Sequence, residues 1–218
     1  GNTSSKVVIF GTDGSIISTA ATPSMRFIRR GEGYEEFDVD CLWKLISECI
    51  KEAVTKAEID AKDIKGIGVT SFGNGVVFLG KDGENIAPGC FSQDYRANDI
   101  IEMYKKTGVY DEINKTVRGT LFAGEPGPLL RWYKEHERET YDKIDAVLMF
   151  KDYIMYKLTG EYATDLNCFG GSFMVDMGTM EYSKKLLELY GIPELWDALP
   201  KLASEPTQIV GRVSKEAS

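Results

Sequence analysis

Four short stretches of this sequence combine residue types able to hold a phosphorylated or polyhydroxylated molecule. Gly1-Asn2-Thr3-Ser4-Ser5-Lys6 places a glycine, an amide, three hydroxyls and a lysine directly before an apolar run. Backbone N–H groups and hydroxyls in such a turn can form a concave nest for phosphate, and lysine adds a point charge. The plainer reading is a polar hairpin turn, and the spacing is not that of a Walker loop. Thr70-Ser71-Phe72-Gly73-Asn74-Gly75 ends a second apolar run. Asn74 offers both a donor and an acceptor, which suits a sugar hydroxyl, while Asn-Gly equally marks a simple turn. In Phe91-Ser92-Gln93-Asp94-Tyr95-Arg96, Asp94 and Arg96 either cap and brace a following helix or present a polar wall to a polyol. In Phe122-Ala123-Gly124-Glu125-Pro126-Gly127-Pro128, Glu125 could bond hydroxyls, or cap a helix with proline in its first turn.

Other chemistries find little support. The one histidine, His136, sits in a charged helical stretch and reads as a solvated surface residue, so no Ser-His-Asp or Cys-His arrangement can be assembled. Cys41, Cys49, Cys90 and Cys168 lack CxxC or zinc-site spacing, so no metal site is expected. With no export signal in view, they read as reduced thiols of a cytoplasmic protein. A net charge of -8 disfavours nucleic acid and anionic membrane as partners. No apolar run approaches the ~20 residues of a membrane helix. At 43% hydrophobic and 28% charged residues, the composition is that of an ordinary folded domain.

The elements that must position these stretches follow from local pattern. Lys6 to Phe10 and Ile16 to Ala21 read as strands around an Asp-Gly turn. Leu42, Leu45, Ile46, Cys49, Ile50, Ala53 and Val54 form one face of a helix that Asp38 or Asp40 can cap. Ile64 to Thr70 reads as a buried central strand, and Val76 to Leu79 and Ala146 to Phe150 as further strands. Residues 97 to about 138 read as helical with breaks at Gly108 and around Gly124 to Gly127, as do Tyr182 to Tyr190. Trp43 and Trp132 fall on apolar helix faces and read as core. Strands alternating with helices predict an α/β architecture, a mixed sheet flanked by helices.

Taken in order, these stretches resemble the front half of the FGGY carbohydrate kinases. Gly1 to Lys6 is similar to that family's first phosphate loop, whose leading aspartate would fall just before residue 1. Gly33-Tyr34-Glu35-Glu36-Phe37-Asp38 with Trp43 resembles its entry into the first long helix, and Gly66-Ile67-Gly68-Val69-Thr70-Ser71 its Gly-Ile-Gly strand. Phe91 to Arg96 resembles its Trp-x-Asp-x-Arg motif, and Leu129-Leu130-Arg131-Trp132 its following helix. Lys151-Asp152-Tyr153 with Leu158-Thr159-Gly160 and Thr164-Asp165 resembles its Lys-Asp-Tyr…Leu-Thr-Gly…Thr-Asp block.

The resemblance implies a ribonuclease-H-like, actin-like ATPase fold, with residues 1–218 as an N-terminal sugar-binding domain truncated at both ends and the nucleotide-binding domain outside it. It implies ATP with Mg²⁺ as cofactors, and transfer of a phosphoryl group to a primary hydroxyl of a ketose, polyol or sugar acid. Asn2, Thr3, Ser4 and Lys6 would approach the ATP phosphates. Gly73, Asn74, Ser92, Asp94, Gly124 and Glu125 would line the sugar pocket. Asn2 replaces the usual threonine and Ser92 the usual tryptophan. Gly73-Asn74 matches neither the Arg-Glu pair of glycerol kinases nor the Met-His pair of D-xylulose kinases. The Gly-polar-Gly pattern is closer to L-xylulose kinases, which points to a pentulose or related sugar acid. The catalytic base is expected beyond this chain, so the fragment alone is expected to be inactive. A homodimer is left open. The alternative reading is a sugar-binding or regulatory half-domain without turnover.

Overall fold

The computed structural model describes residues 3–24, 27–205 and 207–217; Asn2, expected at the phosphate loop, lies outside them. In chain order, β1 (Lys6–Phe10) and β2 (Ile16–Ala21) form a hairpin, followed by β3 (Phe27–Ile28), β4 (Glu36–Phe37) and the long helix α1 (Val39–Ala57). Then come β5 (Val76–Leu79), β6 (Gly89–Cys90), α2 (Asn98–Thr107), α3 (Val109–Val117), α4 (Pro126–His136) and the short α5 (Arg138–Tyr141). β7 (Ala146–Met149), α6 (Phe150–Thr159), β8 (Ala163–Asp165), α7 (Leu166–Phe169), β9 (Val175–Asp176), β10 (Glu181–Tyr182), α8 (Lys184–Tyr190) and β11 (Lys201–Ala203) complete the order.

The centre is a five-stranded sheet in the order β3-β4-β6-β5-β7, in which every neighbouring pair is antiparallel. The parallel pairing expected of a mixed sheet is present, but in a separate pair, β8 with β11. β5 (VVFL) and β7 (AVLM) are apolar throughout because both sheet faces are covered. Side chains alternate across a strand, so the two runs feed two cores. Val76, Phe78, Val147 and Met149 pack with residues of α2, α3, α4 and α8 on one face. Val77, Leu79, Ala146 and Leu148 pack with Val39, Leu42 and Ile46 of α1 and with Tyr153, Ile154 and Leu158 of α6 on the other. Trp132 joins the first core, and Trp43, half-buried, packs against the second.

Local signals act as expected at most ends. Asp38 caps α1, its carboxylate accepting from the Cys41 N–H at 2.8 Å. Gly108, at φ 78°, ends α2 and separates it from α3. The β1–β2 hairpin leans on α1 through Ala20, Cys49 and Ala53. One expectation fails. Residues 64–70 form no strand, and most of them are exposed, with Ile67 52% accessible. β-prone residues do not make a strand without backbone partners, and among the described residues none pairs with this run.

Gly89 lies where the Phe37 ring crosses β6, and a methyl group there would collide with that ring, which is fully buried and cannot yield. Gly89→Ala is therefore expected to destabilise by about 1–3 kcal/mol. A urea titration of the complete protein measures this; an unchanged midpoint would show that the ring has room to move.

Candidate functional site

Four loop segments meet at the ends of the central strands: residues 30–36, 71–75, 91–96 and 122–125. An ionic clamp holds the first and third together. Arg96 donates from Nε to Asp94 Oδ1 (2.9 Å) and from Nη2 to Asp94 Oδ2 (2.6 Å), a two-pronged contact. The same Nη2 reaches Glu36 Oε1 at 2.7 Å. Arg30 grips the other side of Glu36, from Nε at 2.8 Å and Nη2 at 2.6 Å. The Arg96 guanidinium lies 4.1 Å from the Tyr34 ring centroid and donates to the Tyr133 hydroxyl of α4 at 3.2 Å.

Glu36, Asp94 and the Arg96 side chain are all almost fully buried, and with Arg30 their charges cancel. Burial pushes the Arg96 guanidinium toward losing its proton; its hydrogen bonds to Asp94 and the surrounding charges more than reverse this, so it stays charged. Cys90 beside it is pushed up to about 12 by burial and is an inert thiol.

Asp94 has no acceptor position to spare. Besides Arg96 Nε and Nη2 it accepts from the backbone N–H groups of Glu35 (2.9 Å) and Arg96 (3.1 Å). The helix that follows has no side-chain cap. Of the structural reading of Asp94, the pairing with Arg96 is present and the helix cap is not.

The fourth segment docks on the third. Gly124 presses its backbone onto the carbonyls of Ser92 and Asp94, where any Cβ would collide. This is a close approach that only glycine allows. Glu125 then precedes Pro126, the first residue of α4, but its side chain makes no cap. It reaches instead to the second segment, where Asn74 Nδ2 donates to Glu125 Oε1 at 2.9 Å.

Asn74 sits in the left-handed region at φ 63°, a conformation asparagine tolerates better than most residues. The loop is pinned below by Phe72, whose ring lies 4.8 Å from Phe150 and 5.6 Å from Phe91. Gly73 beside Asn74 is exposed, with open space where a side chain would stand. Ser92 is half-buried, and its hydroxyl makes only a long 3.4 Å contact to Gln93.

Glu125 is fully buried, and desolvation pushes its carboxyl up to about 9. It holds its proton at neutral pH. Two buried oxygens of this pair, Glu125 Oε2 and Asn74 Oδ1, lack a hydrogen-bond partner.

Asn74, Ser92, Asp94, Gly124 and Glu125 are thus brought into one contiguous patch, bordered by the open Gly73. The expected phosphate-binding residues Thr3, Ser4 and Lys6 lie at the start of the β1–β2 hairpin. There the Ser5 N–H is taken by Thr22 Oγ1 at 2.9 Å, which removes one donor from the expected nest. Thr3 and Lys6 are exposed and Ser4 is half-buried. Among the described residues no hydrogen bond or ion pair engages the side chains of these three. Two hydroxyls and an ammonium group form a donor set that fits an anion. Among the described residues no cluster of His, Cys, Asp or Glu could hold a metal, and no helix is long and apolar enough to cross a membrane. His136 is exposed, stacks on Trp132 and bonds Asp99 at 3.1 Å. The clamp role of Glu36 and Arg30 was not read from the sequence; Glu36 is the second of two glutamates between Tyr34 and Phe37, and its pairing with Arg96 across 60 residues leaves no local pattern.

Comparison with known proteins gives this architecture its place. The N-terminal domain of the FGGY family of carbohydrate kinases matches residues 1–218. The chain belongs to the FGGY family. It is 30% identical over 218 residues to a probable L-xylulose kinase of Pasteurella multocida (strain Pm70), and 32% identical over 219 residues to a probable L-xylulose kinase of Haemophilus influenzae (strain ATCC 51907 / DSM 11121 / KW20 / Rd). All of this chain is covered, but only 45% and 44% of those proteins; the chain spans less than half the length of the curated relatives it matches. The crystal structure of gluconate kinase from Lactobacillus acidophilus superposes with a TM-score of 0.90 at 24% identity, over 100% of this chain and 43% of that one, so the two share a fold.

Two outcomes follow for this FGGY domain. Arg96→Met strands the buried carboxylate of Asp94 and leaves Glu36 to Arg30 alone, and is expected to cost about 3–5 kcal/mol, whereas Arg96→Lys, which keeps the charge but not the fork, should cost less. Chemical denaturation of the complete protein checks both, and a loss under about 1 kcal/mol for Arg96→Met would remove the clamp from its structural role. Glu125 sets a pH dependence. The unfolded chain gives up this proton near the ordinary glutamate value of 4.5, while the folded chain keeps it to about 9. Between those limits the unfolded state binds fewer protons, so stability falls as pH rises. The urea midpoint should therefore decline less steeply from pH 5 to pH 9 in Glu125→Gln than in the wild type; equal slopes would contradict a buried neutral acid.

Proposed function

We propose that the complete protein phosphorylates a primary hydroxyl of a ketose, polyol or sugar acid at the expense of ATP, and that its acceptor is a pentulose such as xylulose. The observation that carries this is the patch around Asn74: an amide, a serine hydroxyl and a bare Gly73 backbone converge where the central strands end. A wall of neutral donors and acceptors suits hydroxyls better than it suits a charged ligand. The family membership and the two relatives named as probable L-xylulose kinases support the same substrate class.

In this reading Asn74 and Ser92 bond the sugar hydroxyls, and Gly73 lets the carbon chain lie against the backbone. Gly124 and Asp94 hold the loops rather than the ligand, Asp94 because its acceptors are already filled. Thr3, Ser4 and Lys6, with Asn2, bind the polyphosphate of ATP. ATP, bound with Mg²⁺, supplies the phosphoryl group. Neither Asp94 nor Glu125 is suited to deprotonate the acceptor, the first being saturated and the second already protonated. The base is therefore assigned to a residue outside 1–218. That same lack of a base is what favours the second reading, a sugar-binding half-domain without turnover.

An ADP-release assay of the complete protein against ketopentoses, polyols and sugar acids separates the two. A ketopentose is expected to give the highest kcat/KM. Asn74→Ala should raise the KM for that sugar about 3- to 10-fold, the worth of one or two neutral hydrogen bonds, and leave the KM for ATP unchanged. No ADP release above background with any of the sugars would sink the kinase reading in favour of the half-domain.

A further inference from the structure

Glu125 and Asn74 pose a problem in hydrogen bonding. They are already joined by one bond, Asn74 Nδ2 to Glu125 Oε1 at 2.9 Å. The second oxygen of each group, Glu125 Oε2 and Asn74 Oδ1, is buried and without a partner. Two lone acceptors on neighbouring side chains would each carry the desolvation cost of an unmade bond. One proton removes both deficits. Placed on Oε2, it is donated to Oδ1, and the carboxyl and the amide close into a ring held by two hydrogen bonds.

We propose that Glu125 is kept as an uncharged carboxylic acid whose proton bridges Oε2 to Asn74 Oδ1, and that this acid–amide pair positions Asn74 for the sugar. Glu125 is fully buried, so it acts through Asn74 as a positioning residue. The positioning role rests on the reading of residues 73–74 as the sugar loop; the acid–amide pair itself does not.

The surroundings suit a neutral acid. The 91–96 loop presents Asp94, whose charge is spent on Arg96. From α8, Tyr190 packs on Gly127 near the start of α4; its own hydroxyl donates to the Phe173 carbonyl at 2.9 Å. The charge of an ionised Glu125 would raise the Tyr190 phenol further, so the two groups oppose each other's ionisation. No lysine or arginine among the described residues offsets the burial of the carboxyl, which pushes it up to about 9. The pair also explains why Asn74 tolerates a left-handed backbone: both of its amide atoms are anchored from below, so the loop cannot relax without breaking two bonds.

The pair predicts a specific pattern of rescue. Glutamine is a permanent mimic of the neutral acid, its Nε2 donating to Asn74 Oδ1 while its Oε1 accepts from Nδ2. In the complete protein, Glu125→Gln should keep the wild-type sugar KM at pH 7. In the wild type that KM should rise above pH 9 as the bridging proton is lost and level off near the about 3- to 10-fold increase expected of Asn74→Ala; in Glu125→Gln this alkaline rise should be absent. Glu125→Ala should raise the sugar KM at every pH, with the KM for ATP unchanged.

Infrared difference spectra of wild type minus Glu125→Gln give a readout independent of turnover. A protonated-carboxyl C=O band at pH 7 that fades through pH 9 is expected. A carboxylate signature at pH 7 would overturn the proposal, as would a Glu125→Gln enzyme as impaired as Glu125→Ala. A protonated band together with a sugar KM indifferent to Glu125→Ala would overturn the positioning role while leaving the acid–amide pair in place; the sugar-loop reading falls with it only if Asn74→Ala also leaves that KM unchanged.

Discussion

Everything near the candidate site hangs on one buried guanidinium. Among the described residues, Arg96 is the one fully buried cation in a cluster that also holds Asp94 and Glu36, with Arg30 closing it from the half-exposed side. An isolated buried charge is costly, and a pair is tolerable only when geometry is good and every remaining polar atom is bonded. Here both conditions hold. Asp94 has four donors, and Arg96 uses the faces of Tyr34, Trp132 and Tyr133 as well as its edge. Because its partners lie on different segments, the cluster fixes where the 91–96 loop leaves β6 relative to β4 and α4. Gly124 can then press onto that loop, and Glu125 is delivered beneath Asn74.

The domain buries carboxyl groups in two opposite ways within one small region. Asp94 and Glu36 are buried as anions and neutralised by arginine. Glu125 is buried with no cation and keeps its proton. The first arrangement ties the loops together through charge pairing. The second makes the loop that carries Asn74 depend on a single proton. A third case lies at the start of α6, where Lys151 bonds Asp152 and Asp165 at 2.8 and 3.0 Å and ties the helix to β8. There burial raises Asp152 despite the lysine beside it. These contrasts follow from what faces each carboxyl, and residue type alone does not distinguish them.

Much of the architecture was legible in the chain. The hairpin at Lys6 to Ala21, the capped helix after Asp38, the break at Gly108 and the strands at Val76 and Ala146 all announce themselves through short-range rules. Periodicity, a cap or a turn residue acts within a few positions, so its signal survives in one dimension. The ordered series of motifs likewise carried the family. The run at residues 64–70 shows the limit. Its composition is that of a strand, but strand formation needs a neighbour to accept its hydrogen bonds, and composition cannot supply one.

What the sequence by itself determined was the set of groups available: an amide at 74, a serine at 92, carboxyls at 94 and 125, and glycines that let backbones touch. It left two roles open for nearly every one of them. Only the tertiary structure chose between those roles. It turned Asp94 inward to Arg96, and it turned Glu125 away from the end of its own helix toward a residue 51 positions earlier. The physical reason is that solvation and pairing decide what a polar side chain does, and both depend on neighbours that are distant along the chain.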